Sequence, residues 1–329
     1  MQNQNIKEYT NAKSIVTILV VIGHVTRMYT SAGAIPLGEN KILAMITKII
    51  YLFHMPTFMF FSGAIYFQCI SLGKYQNYIQ MLKSKFKRLV IPYLFWGVVY
   101  VAPVMVALKI TTLTYFKYVV FGILLGGDAR HLWYLWTLFF ILCFIGIIDK
   151  IIHRSWNNKL LILMFVITGM ISFGSNRITN LFCLNYFMRY CCYFVLGMIA
   201  NLNRGGIIRI IRMKSFLIAS LIIVCICCFN VNSSINALFG AVFGINCIYS
   251  ISVYLDTIIT HSRLMIMVKD NAMGIYILHP MIIYIWFYLL NNKMNPFISC
   301  IGGFVLSFML SMLGSIFIKK IRLNILFGE

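Results

Sequence analysis

The sequence predicts an all-α protein, a polytopic transmembrane helix bundle of about ten spans with both termini on the cytoplasmic side. Three observations predict it. Hydrophobic residues make up 61% of the 329 positions and charged ones 11%, a balance that ordinary soluble domains do not have. Apolar runs recur from end to end, each near the 20 or so residues that cross a hydrocarbon core of roughly 30 Å. The basic residues sit mainly between those runs, where they fix orientation and meet anionic headgroups.

Taken in order, the predicted spans are 13–31, 44–68, 89–108, 131–149, 159–174, 185–202, 215–231, 235–255, 272–291 and 297–318. The first has Lys7 and Lys13 ahead of Ile15–Gly23, as a signal peptide would. His24 interrupts the run and no small-residue cleavage site follows, so it is expected to be a retained helix. The stretch 115–126 is too short to cross and is expected to be re-entrant or interfacial. Sorting the connecting segments alternately to two sides puts nineteen of the 28 Lys and Arg on one side; the positive-inside rule makes that side cytoplasmic. The connections are too short for a folded soluble unit, so 1–329 is expected to be a single transmembrane domain.

Several function classes are excluded. The formal charge of +21 would suggest nucleic acid in a soluble protein, but here the charges flank membrane segments, and no nucleic-acid partner is expected. The ten cysteines fall almost entirely within apolar runs, including Cys225, Cys227 and Cys228. With no His or carboxylate nearby they read as small apolar fillers, and no metal is expected. No GxxxxGK[ST] loop, HExxH helix or GxSxG elbow is present.

Ionisable groups inside a bilayer are costly, about 2.5–3.5 kcal/mol at a helix centre, which makes each a functional candidate. His24 lies eleven residues beyond Lys13, or about 16 Å along the helix. His54 enters the next span from the opposite side to a similar depth, so the two rings can share a cavity between neighbouring helices. Pro56 and Pro280 are helix-breaking residues beside His54 and His279. Lys83, Lys85, Lys87 and Arg88 run into the third span, as lipid anchors or as a cradle for the phosphates of a nucleotide-bearing donor. His131, Trp133 and Tyr134 open the fourth span, as an interfacial belt or as a polar-aromatic surface for a sugar. Arg189, without an acidic partner in sequence, is expected to face the bundle interior. Acidic residues are nearly absent from the spans, which leaves a proton-coupled relay little support.

The landmarks in order resemble the acyltransferase 3 family of bacterial membrane O-acyltransferases. They are Lys13 and His24 in AKSIVTILVVIGH, FHMPTFMFFSG (Phe53–Gly63), RLVIPY (Arg88–Tyr93), HLWYL (His131–Leu135), YFVLG (Tyr193–Gly197) and GIYILHP (Gly274–Pro280). They are most similar in character to the fucose 4-O-acetylase-like and surface-polysaccharide O-acetyltransferase members. The resemblance implies a ten-helix bundle of the bacterial cytoplasmic membrane that moves an acetyl or other short acyl group. The donor it implies is acetyl-CoA, and the acceptor a hydroxyl of a surface or exopolysaccharide sugar or its lipid-linked precursor. It makes His24 catalytic, with His54 expected beside it. Lys13 and Arg88, with Lys85 and Lys87, are expected to hold the donor, and His131, Trp133, Tyr134, Arg189 and His279 to meet the acceptor. Lys13 stands where the family commonly has Arg, which keeps the charge and loses bidentate geometry. The rival reading is a transporter or flippase for a polysaccharide precursor. The sequence does not fix the oligomeric state.

Overall fold

The computed structural model describes residues 7–35, 37–75, 77–229, 234–258, 263–290 and 293–329, and leaves the side chains of residues 7, 8, 10 and 256–258 undescribed. The expectation for the amino terminus falls on residues 1–6, outside the described residues. Among the described residues the chain is helical with no strand. We number the helices α1 (Lys7–Arg27), α2 (Lys41–Ser71), α3 (Tyr78–Ala107), α4 (Tyr115–Leu124), α5 (Arg130–Ile151), α6 (Asn158–Phe173), α7 (Leu184–Leu202), α8 (Arg204–Ile211), α9 (Lys214–Phe229), α10 (Ser234–Ile258), α11 (Arg263–Leu290) and α12 (Pro296–Lys320).

Among the described residues six helices are long and apolar enough to cross a membrane: α2, α3, α5, α10, α11 and α12. A seventh counts if α7 and α8, broken at Asn203, are taken together. The other predicted spans fall on helices that miss this standard. At 16 residues each, α6 and α9 reach about 24 Å against a core of roughly 30 Å. α1 carries Lys7, Glu8 and Lys13 in its first two turns. Segment 115–126 forms α4, about half the length a span needs.

The clearest mark of a lipid environment is α12. Ile301, Val305, Met309, Leu313 and Phe317 recur every fourth residue and are all exposed, a stripe that water would penalise. The opposite stripe, Gly303, Ser307, Ser311 and Ser315, is buried. Small and hydroxylated residues inside with large apolar ones outside is the pattern of helices that pack in lipid. Ser315 Oγ bonds Asn271 Oδ1 on α11 at 2.9 Å, tying the two helices by their polar faces.

Contacts group the chain into two compact units, one of residues 1–58 and 205–320, the other of 59–204 and 321–329. In the first, α1 packs on α10, α11 and α12, and α9 on α10. The core there gathers Val21 and Val25 of α1 and Met28 of the turn after it with Val268, Ile275 and Ile283 of α11 and Met312 of α12. Ser14 Oγ donates to the Met265 carbonyl at 2.9 Å, pinning α1 to α11. α1 ends at Arg27, where Met28, Tyr29 and Thr30 turn back to carbonyls three residues earlier. α2 begins at Lys41 because Asn40 Oδ1 accepts from the Ile42 and Leu43 amides, both at 3.1 Å, as an N-cap. Asn40→Ala is expected to lower stability by about 1 kcal/mol, read as a lower melting temperature in detergent.

In the second unit, α3 packs on α5, and α7 on both α5 and α6. Two turns of α3 are π-helical, Phe86–Val90 and Gly97–Val101, and each runs into a proline, Pro92 or Pro103. Proline has no N–H for the carbonyl four residues back, and its ring crowds that carbonyl. The wider turn, with the Ile91 amide reaching the Phe86 carbonyl and Ala102 reaching Gly97, lets the helix continue. The carboxyl-terminal turn Asn324–Phe327 docks on this helix. Trp96 Nε1 donates to the Leu326 carbonyl at 2.7 Å, and its indole stacks on Phe327 at 5.5 Å.

Candidate active site

Three histidines of the first unit come together, and His24 is the accessible one. It lies in the last turn of α1 and is half-buried. Its ring meets His279 of α11 edge-on at 5.0 Å between centroids, and Tyr51 of α2 at 6.0 Å. Tyr51 in turn lies 4.6 Å from the ring of His54, one helical turn further along α2. Tyr51 thus neighbours both His24 and His54, the pair expected to share a cavity, and His279 meets the His24 ring from α11. His54 is 3% exposed and His279 0%, so of the three rings only that of His24 is open to its surroundings. The exposed Arg27 guanidinium lies over the Tyr51 ring, 5.2 Å from its centroid.

The local sequence builds this approach. Gly23 precedes His24, and a β-carbon there would come within 2.9 Å of Ile50 and 3.2 Å of Tyr51; glycine lets α2 close on α1 at the site. Thr47 Oγ1 and Thr26 Oγ1, 2.8 Å apart, tie the same two helices one turn away. The buried histidines are fixed by their own helices. His54 Nδ1 lies 2.8 Å from the Ile50 carbonyl, and His279 Nδ1 lies 2.7 Å from that of Ile275. A carbonyl only accepts, so each Nδ1 carries the proton, and in the neutral ring Nε2 holds a lone pair. Among the described residues no three His, Cys, Asp or Glu side chains converge to hold a metal ion.

Sequence reasoning does not single out Tyr51. Its spacing of three from His54, which places both on one face of α2, is the signal that finds it. We expect Tyr51→Ala to lower kcat by about 10²-fold with KM little changed, because His24 loses the ring that orients it. Tyr51→Phe, which keeps the ring, should stay near wild type. Steady-state kinetics of the three proteins checks this.

Lys13 is half-buried on α1, about three full turns before His24 and therefore on the same helix face. The remaining candidates belong to the second unit. Lys87 and Arg88 are exposed within the first π-turn of α3, and Lys85, half-buried, sits 5.6 Å over the Tyr75 ring. His131 is buried in the opening turn of α5. Tyr134 Oη bonds Ser62 Oγ at 2.9 Å. Trp133 stacks on Tyr186 at 4.2 Å and on Tyr190 at 4.9 Å. Those two rings are 6.4 Å apart, too close to lie on opposite sides, so they cover one indole face.

Arg189 corrects the sequence expectation. It is exposed instead of turned inward, and its guanidinium donates to Asn176 Oδ1 in the segment before α7. The reason is its register: α7 begins at Leu184, so Arg189 is little more than a turn from the helix end and reaches the loop.

Apolar helices with lipid-type surfaces, carrying a histidine cluster at a half-open position, define the class as a multi-pass membrane protein with an ionisable site. A family model described as an acyltransferase domain, Acyl_transf_3, matches residues 6–320. The chain belongs to the acyltransferase 3 family and is an acyltransferase. Searches of curated proteins and of solved structures returned no match.

Proposed function

We propose that this chain is an O-acetyltransferase of the bacterial cytoplasmic membrane. In this reading it moves an acetyl or other short acyl group from acyl-CoA to a hydroxyl of a surface or exopolysaccharide sugar, or of its lipid-linked precursor. The observation that carries the reading is the half-open His24 held between His279 and Tyr51 in a chain of this family. The proposed topology is a single domain of ten spans with both termini in the cytoplasm, the shorter α6 and α9 included.

In the proposed reaction a neutral nitrogen of His24 takes the proton of the acceptor hydroxyl as its oxygen attacks the thioester carbonyl. The C–O bond forms, the C–S bond breaks, and the departing thiolate takes the proton back from the imidazolium. His279 and Tyr51 hold the ring in line for this transfer. Lys13, about 16 Å back along the same helix face, stands at a distance on the scale of an extended pantetheine arm. Lys85, Lys87 and Arg88 are the proposed partners of the donor's phosphates, and Trp133, Tyr134, His131 and Arg189 those of the sugar.

The test is transfer from labelled acetyl-CoA by the purified chain in proteoliposomes that contain the acceptor. Acceptor-dependent release of free thiol supports the reading. A transporter would move the precursor and release none.

A further inference from the structure

We infer that the second unit carries a nucleotide-binding cleft built by the connection before α3 and the connection after α5, and that it takes the adenosine-phosphate end of the acyl donor. The cleft has a volume of about 410 Å³, within the range of small-molecule sites. It lies where α2 ends, α3 begins and α5 ends. Tyr66 and Tyr75 are buried in its floor, Tyr78 is half-buried beside them, and Lys150, His153 and Arg154 stand exposed at its rim. This inference rests on the reading of the donor as a coenzyme A thioester and adds residues that the sequence presents only as topology charges.

The wall is a built one. The connection after α5 has two successive residues in the left-handed region, His153 at φ 50° and Arg154 at φ 61°, a conformation that persists only where surroundings enforce it. Here the Arg154 amide bonds the Asp149 carbonyl at 3.0 Å, and its guanidinium donates to the Tyr75 carbonyl at 2.6 Å. That guanidinium also lies 3.7 Å from the Asp149 carboxylate, which in turn accepts from the Trp156 indole at 2.6 Å. The segment after α5 is thereby tied to the segment before α3. The one acid of the lining is engaged by Arg154 and Trp156, and Lys150 and His153 extend from the rim.

The chemistry of the lining selects the ligand. Phosphate oxygens call for Lys and Arg at a rim, and a purine calls for aromatic surface. Tyr66 and Tyr75 are buried as structure, and the half-buried Tyr78 is the aromatic surface that the cleft offers a purine beside the rim cations. The cleft also joins the basic run of α3, since Lys85 sits over the Tyr75 ring at 5.6 Å.

The test uses the full chain in nanodiscs of phosphatidylcholine, with adenosine 3′,5′-bisphosphate and coenzyme A as titrants. The double variant Lys150→Gln/His153→Gln changes exposed rim groups only, and an unchanged melting temperature confirms its fold. The expected result is that the variant binds both titrants about tenfold more weakly. KM for acetyl-CoA should rise by the same factor at unchanged kcat, while turnover of acetyl-pantetheine, which lacks the nucleotide, should not move. Equal affinities in the two proteins overturn the cleft assignment and leave the donor reading standing. Failure of the wild type to bind or use coenzyme A overturns both. Binding of phosphatidylglycerol at the rim with no nucleotide binding assigns the cleft to headgroups and overturns the inference.

Discussion

Replacing His24 with alanine is expected to lower kcat for acyl transfer by about 10²–10⁴, the share of catalysis that a positioned base supplies. The side chain is half-open in the last turn of α1, while the α1 core residues Val16, Val20, Val21 and Val25 are buried and unaffected. Folding should therefore survive, and a melting temperature near that of wild type separates lost chemistry from lost structure. His54→Ala and His279→Ala remove enclosed rings that hold i−4 carbonyls, so they should cost stability as well as rate. That contrast sets His24 apart from its neighbours. A folded His24→Ala protein with wild-type kcat would remove the histidine from the mechanism.

Gly197→Val is expected to be the most damaging change to the fold. α2 and α7 cross at two glycines in a reciprocal contact. A β-carbon at Gly197 would run into the Phe60 carbonyl, and one at Gly63 into the Phe194 carbonyl. The obstacle in both cases is backbone, which cannot rotate aside as a side-chain tip can. Overpacking a close helix crossing costs about 3 kcal/mol or more where the helices must separate. The expected readout is a large loss of folded yield and of melting temperature. Gly169→Ala on α6, where a β-carbon would meet nothing within 4 Å, serves as the control and should be neutral or slightly stabilising. Equal melting of the two variants would show that the crossing is looser than described.

The helices were legible because lipid-length apolar runs are a strong signal, and each predicted stretch falls on one. The ends were less so. α11 starts at Arg263, well before the predicted 272, because Lys269 and Asp270 in its first turns mask a helix that hydropathy alone does not see. The first helix, α1, closes at Arg27 with a tightened turn, short of the predicted end at 31. His24 and His54 were legible as ionisable groups in apolar runs. The meeting of His24 with His279 was not, because it depends on how α1 packs against α11. Tyr51 was hidden among 19 tyrosines, and Arg189 was misread because a few residues of helix register decide between interior and loop. Lys150 and Arg154 were counted only among the orientation charges, and His153 beside them was not singled out. Charges after a span read as orientation signals, and only the folded connection to Tyr75 shows that they share a cleft.

The ester content of the cell-surface polysaccharide tests most directly the proposal that His24 drives acyl transfer to an envelope sugar. O-acetyl signals are read by NMR in cells lacking the chain and in the same cells given back wild type or His24→Ala at matched membrane levels. One ester signal should vanish on deletion, return with wild type and stay absent with His24→Ala. Full restoration by His24→Ala, or a polysaccharide unchanged by deletion, would contradict the proposal.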